Sequence, residues 1–197
     1  MTVLTTTPVT TTPAIAEADV VAHGQTVPPT PHKPLNKIAF QPPSKARIEG
    51  VVVKPLRPIV DERGYLMEML RSDDPDFKGF AQTYLTAVNE GVTKAWHYHN
   101  DQTDNFICVH GLIKLVLFDC REGSPTEGLV NEFYLGANSP ILVQIPPKVL
   151  HGFKGLAAPH SLIVNVPDRL YDYKNPDEFR VDPHDNDVPY DWSRKDG

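Results

Sequence analysis

The chain is short of several things, and each shortage excludes a class of protein. It has two cysteines in 197 residues, Cys108 and Cys120, with no CxxC spacing and strand-like surroundings. That excludes a disulfide framework or zinc knuckle and fits free thiols in a reducing compartment. No run of about 18 apolar residues occurs, so no membrane-spanning helix is expected. The opening "MTVLTTTPVTTTPAIAEADVV" lacks a basic segment followed by a continuous apolar stretch, so no secretory leader is expected and the cytoplasm is the expected location. Positive charge is scarce, with 19 Lys and Arg against 25 Asp and Glu for a net charge of -6. A grip on nucleic acid needs a concentrated positive field, so no nucleic-acid partner is expected. Helical periodicity is also missing, since no apolar stripe persists over three turns.

What is present divides the chain in two. Residues 1–46 carry eight of the 20 prolines and nine threonines, a composition that buries little apolar surface and removes backbone donors. We read an extended or disordered arm there and one domain over 47–197. From Ile48 onward, short apolar or alternating segments recur about every eight to twelve residues with turn residues between them, the signature of an all-β sandwich or barrel. The candidate strands are "VVVKPL", "YLMEML", "QTYLTAV", "KAWHYH", "NFICVHG", "LIKLVLFD", "LVNEFYLG", "ILVQIP", "HGFKGL" and "SLIVNV". His110-Gly111 reads as a tight hairpin, and the Asp-, Pro- and Tyr-rich stretch after residue 170 as an ordered wrap.

Side chains two apart in a strand share a face, so His97 and His99 project together and Trp96 and Tyr98 point the other way. The run Gly91, five residues, His97-Tyr98-His99, four residues, Asp104, six residues, Gly111 resembles the first motif of the cupin superfamily, with aspartate where glutamate is usual. "PPKVLHGF" resembles the second motif, with Lys148 at its glycine and His151 at its histidine. The resemblance implies a cupin-type double-stranded β-helix, or jelly roll.

A closer resemblance covers residues 48–192. "DERGYLMEM", Gln82, "GVTKAWHY", "REGSPTEG", "IPPKVLHGF" and "RVDP" match, in order, motifs of the dTDP-4-dehydrorhamnose 3,5-epimerase family, metal-free cupins that deprotonate a nucleotide-linked 4-keto-6-deoxy sugar beside its carbonyl. The resemblance implies an isomerase of polysaccharide biosynthesis, a homodimer with a nucleotide-sugar substrate and no cofactor. It implies that His97 is the base and Asp182 the carboxylate that orients it, with Lys94 and His151 beside the enolate. Arg63, Glu68 and Gln82 fall at positions that hold the nucleotide. Arginine suits that task because its planar fork pairs with two phosphate oxygens.

Four departures from the pattern leave other readings open. Lys94 stands for an arginine, Asp104 for a ketone-polarising lysine, Val164 for the acid tyrosine and His99 for a glutamine. Lys114, Tyr171 and Tyr173 are candidates to compensate. His97, His99, Asp104 and His151 also form a set suited to a divalent transition metal, the alternative being a metal-dependent cupin acting on another small molecule. A second alternative is a sugar-binding cupin without turnover. Trp96 reads as core, and the lesser alternative for Arg63 and Glu68 is a turn and a strand with the two paired on the surface.

Overall fold

The computed structural model describes residues 42–196, so the arm assigned to 1–46 lies almost wholly outside the described residues. Among the described residues twelve strands form: β1 (Val52–Pro55), β2 (Ile59–Asp61), β3 (Gly64–Leu66), β4 (Tyr84–Asn89), β5 (Thr93–Tyr98), β6 (Asp104–His110), β7 (Leu112–Phe118), β8 (Val130–Gly136), β9 (Ile141–Ile145), β10 (Leu150–Gly155), β11 (His160–Asn165) and β12 (Phe179–Arg180). They build two five-stranded antiparallel sheets, ordered β1-β9-β6-β11-β4 and β12-β5-β10-β7-β8, with β2-β3 as a separate ribbon. From β4 to β7 the chain changes sheet at every strand, and it does so again from β8 to β12. The fold is the all-β jelly roll that the motifs implied.

The core between the sheets comes from alternate residues of facing strands. Phe106, Leu115, Leu117, Val143, Ile145, Phe153 and Ile163 are each at most 3% exposed. The outer faces are covered too. Trp96 is buried, its ring 4.9 Å from that of Trp192, so the C-terminal wrap seals the outside of the second sheet. Met67, Met69 and Leu70 cover Ile107, Leu142 and Val164 on the outside of the first. That placement corrects the reading of "YLMEML" as one strand: only Gly64–Leu66 pairs, and the rest serves as a lid. The C-terminal wrap, read as loop, contributes β12.

Two turns show why particular residues are needed. Gly111 has φ 79°, and a β-carbon there would meet Ser161 Oγ at 2.5 Å, so only glycine closes the β6-β7 hairpin. "REGSPTEG" is built around a buried acid just before it: the Asp119 carboxylate accepts hydrogen bonds from Arg121 (Nε 2.8 Å, Nη2 2.9 Å), Ser124 Oγ (2.6 Å) and Thr126 Oγ1 (2.6 Å). Arg121 Nη2 also donates to the Glu49 carbonyl at 2.9 Å. This motif holds the β7-β8 connection against the entry of the domain.

Candidate functional site

β5 and β10 are neighbours in the second sheet, and their register sets His97 opposite His151. Their rings stand 4.1 Å apart between centroids. Asp104 opens β6 on the facing sheet, and His99 follows the last residue of β5. One ligand atom from each of His97, His99, Asp104 and His151 lies within 4.8 Å of the others. The sequence spacing therefore did gather these four residues at one end of the barrel.

Each of three members is held by a different part of the chain. His99 Nδ1 donates to the Asp177 carbonyl, and the Asp177 carboxylate accepts the amides of Asn100 (2.8 Å) and Asp101 (2.9 Å), clipping that loop in place. His151 Nδ1 donates to the Val149 carbonyl at 2.9 Å. Asp104 Oδ1 accepts from Gln102 Nε2 and Asn165 Nδ2, both at 2.8 Å. Its Oδ2 faces His99 Nε2 at 3.3 Å and His151 Nε2 at 3.2 Å.

Electrostatics follow from this packing. Burial opposes the charge on Asp104, but His99 and His151 outweigh it and hold the carboxyl well below its usual range. Burial alone would lower His99; the Asp104 charge and the Asp177 carbonyl overcome it and push the imidazole up to about 9. His97 goes the other way. Burial first, then the neighbouring His151 and His99, lower it well below the usual value, so it is neutral near pH 7. Its ring makes no hydrogen bond among the described residues.

His97, His99 and Lys94 line a pocket of 810 Å³, together with Gln82, Tyr84, Tyr171, Tyr173, Glu178 and Arg180. Lys94 Nζ donates to Thr86 Oγ1 at 3.0 Å. Burial lowers the Lys94 ammonium, and the nearby Arg180 charge adds to that. Arg180 pairs with Glu178 at 2.6 Å and sits opposite His97 in the β12-β5 register. Gln82 Oε1 accepts the Tyr171 amide at 3.2 Å.

Other sequence-derived candidates lie elsewhere. Arg63 is exposed at the β2-β3 turn and paired with Asp61, and Glu68 is paired with Arg71 at 2.6 Å. Both are outside the pocket of their own chain. Asp182 is exposed, its carboxylate accepting the amides of His184 (2.7 Å) and Asp185 (2.9 Å) in a turn. Among the described residues it makes no hydrogen bond with His97. Lys114 lies against Tyr190 and Trp192 in the outer aromatic cluster, 5.2 Å and 5.7 Å from their rings, and so does not compensate inside the pocket. Val164 packs outward with Ile107.

Sequence reasoning missed Tyr84, Asn165, Gln102, Asp177 and Arg180. Asn165 Nδ2 donates to Tyr84 Oη at 2.8 Å as well as to Asp104, linking a pocket tyrosine to the buried cluster. Burial and the Asp104 charge raise the Tyr84 phenol well above its ordinary value, keeping it protonated. Its signal was weak but present: it shares strand parity with Gln82.

Comparison with known proteins agrees with this architecture. The chain is 39% identical over 153 residues to a probable low-salt glycan biosynthesis epimerase, Agl13, of Haloferax volcanii, covering 74% of this chain and 95% of that protein. It is 34% identical over 146 residues to the spore coat polysaccharide biosynthesis protein SpsL of Bacillus subtilis, covering 74% of this chain and 97% of that one. A dTDP sugar isomerase structure from Desulfovibrio desulfuricans G20 superposes with a TM-score of 0.71 at 33% identity, covering 76% of this chain and 94% of the other. The profile of the dTDP-4-dehydrorhamnose 3,5-epimerase family matches residues 45–197, and the chain belongs to that family of nucleotide-sugar isomerases.

Proposed function

We propose that the protein epimerises a nucleotide-linked 4-keto-6-deoxy sugar by removing a proton from a carbon beside the ketone. The observation that carries this reading is His97: a neutral imidazole with free ring nitrogens in the wall of a pocket large enough for a nucleotide sugar. The C–H electron pair moves into the enolate as His97 takes the proton. Tyr84, its oxygen held by Asn165, returns a proton to the opposite face. This assignment fills the role that Val164 leaves vacant. Such a proton exchange needs no redox cofactor, in keeping with the family's chemistry.

Arg180 on the pocket wall suits the diphosphate and Lys94 the enolate, while His151, buried behind the wall, packs against the His97 ring. Gln82 serves the nucleotide end. Asp182, engaged in its own turn, orients His97 only if that turn opens. Arg63 and Glu68 reach a pocket only across a subunit boundary, which fits a homodimer. The ribbon that carries Arg63 leaves Ile59, Val60, Tyr65 and Leu66 more than half exposed, an apolar surface suited to cover by a second copy. Among the described residues no helix is long and apolar enough to cross a membrane, and we place the enzyme in the cytoplasm. Incubation with dTDP-4-keto-6-deoxyglucose, followed by proton NMR, is expected to reveal a new epimer; an unchanged sugar would refute the assignment.

A further inference from the structure

The geometry points to a metal site that the family's metal-free chemistry does not include: a divalent first-row transition ion held by His99 Nε2, His151 Nε2 and Asp104 Oδ2, with His97 left free beside it.

Tautomers carry the first part of the argument. A backbone carbonyl can only accept, so the Nδ1 of His99 and of His151 must each bear hydrogen. Both Nε2 atoms then face one carboxylate oxygen. Two imidazole nitrogens and a carboxylate oxygen converge on one buried point, and a divalent ion would sit there in place of the proton that otherwise joins His99 to Asp104. The side chains are 8%, 2% and 1% exposed for His99, His151 and Asp104, so the point is shielded from solvent.

Direction carries the second. His151 Nε2 is 3.2 Å from Asp104 Oδ2, yet it makes no hydrogen bond and is left as a buried unpartnered atom. The contact falls outside hydrogen-bond geometry. Nitrogen and oxygen ligands bound at ~2.1 Å and separated by tetrahedral or octahedral angles lie about 3.0–3.4 Å from each other. The observed 3.2 and 3.3 Å fall in that interval.

Support around the three residues is the third part. Both imidazoles are fixed through Nδ1, and Oδ1 of the carboxylate is fixed by Gln102 and Asn165, leaving the three inward atoms free. His97 has no such anchor, which separates its role from theirs. Two imidazoles and a carboxylate suit Mn, Fe, Ni or Zn with positions left toward the pocket, where the ion would act as an electrophile.

The site is read without substrate, so its failure and that of the epimerase reading are separate results. Untagged protein is stripped with chelator and titrated calorimetrically with Mn²⁺, Fe²⁺, Ni²⁺ or Zn²⁺, each alone, and with Co²⁺ followed by its visible spectrum. The expected result is about one ion per chain. His97→Ala should keep it, His99→Gln and His151→Gln should lose it, and Gln102→Leu should weaken it about 10- to 100-fold. Should a histidine variant not fold, the Gln102→Leu titration and the cobalt spectrum decide. No uptake of any of the five ions by wild-type protein, or uptake undiminished in Gln102→Leu and in whichever of His99→Gln and His151→Gln fold, would overturn the proposal.

Discussion

Asp104 Oδ2 lies 3.2 Å from His151 Nε2, and the contact joins the two sheets, because Asp104 belongs to β6 and His151 to β10. Removing the carboxylate leaves the buried His99 imidazole without its counter-charge. Asp104→Ala is expected to cost about 3 kcal/mol, measured by urea denaturation with chelator present so that no metal contributes. A loss below about 1 kcal/mol would mean that the cluster carries little structural weight.

Tyr84→Phe separates the two halves of the reaction. Deprotonation by His97 does not use the phenol, so exchange of the substrate proton with solvent should persist. Return of a proton to the opposite face does use it, so formation of the epimer should fall by about 100-fold. Equal loss of both would assign Tyr84 to positioning the substrate, and loss of neither would pass the acid role to Tyr171 or Tyr173.

Asp182→Asn tests the orienting carboxylate. Its carboxylate is spent on the amides of His184 and Asp185. The turnover of Asp182→Asn should therefore stay within about threefold of wild type, with an unshifted pH profile. A loss of several orders of magnitude would show that the turn opens and the carboxylate joins His97 during turnover.

Asp119 gives a pH dependence whose sign is fixed. Burial opposes its charge, but hydrogen bonds from Arg121, Ser124 and Thr126 prevail and pull the carboxyl down to about 2. Its stabilising contribution is fully present above its unfolded value, near 3.8, and is lost as pH falls through about 2. The stability gap between wild type and Asp119→Asn should thus be largest above pH 4 and narrow toward pH 2. Acid titration at fixed urea reads it; a gap that widens on acidification contradicts the assignment.

Lys148 adopts φ 65°, a left-handed backbone, at the position where the cupin pattern has glycine. Its amide still donates to the His99 carbonyl at 2.6 Å. Lys148→Gly should relieve the side-chain strain and stabilise the fold by about 0.5–1 kcal/mol after glycine's entropy is counted. A lower melting temperature would show that the lysine side chain contributes packing of its own.

Strands β4 through β11 were legible because alternation and turn residues are local in sequence. His97, His99, Asp104 and His151 were legible for the same reason: three lie within eight residues, and the fourth follows a recognisable proline turn. The residues that anchor them were not. Asp177 reaches His99 from 78 positions away and Asn165 reaches Asp104 from 61, through registers that no local pattern encodes. Arg180 enters the pocket because two residues of the wrap pair with β5, too short a strand for alternation to reveal. Asp182 was misleading in the opposite sense, since the aspartate of "RVDP" also carries the local signature of a turn-capping residue.

The most direct test of His97 as the base is deuterium uptake from heavy water into the sugar of dTDP-4-keto-6-deoxyglucose, followed by mass spectrometry for wild type and His97→Ala. Wild type should incorporate deuterium beside the ketone, and His97→Ala should slow that uptake at least 100-fold while still binding dTDP. No uptake with wild type, or equal uptake in the variant, would contradict the account.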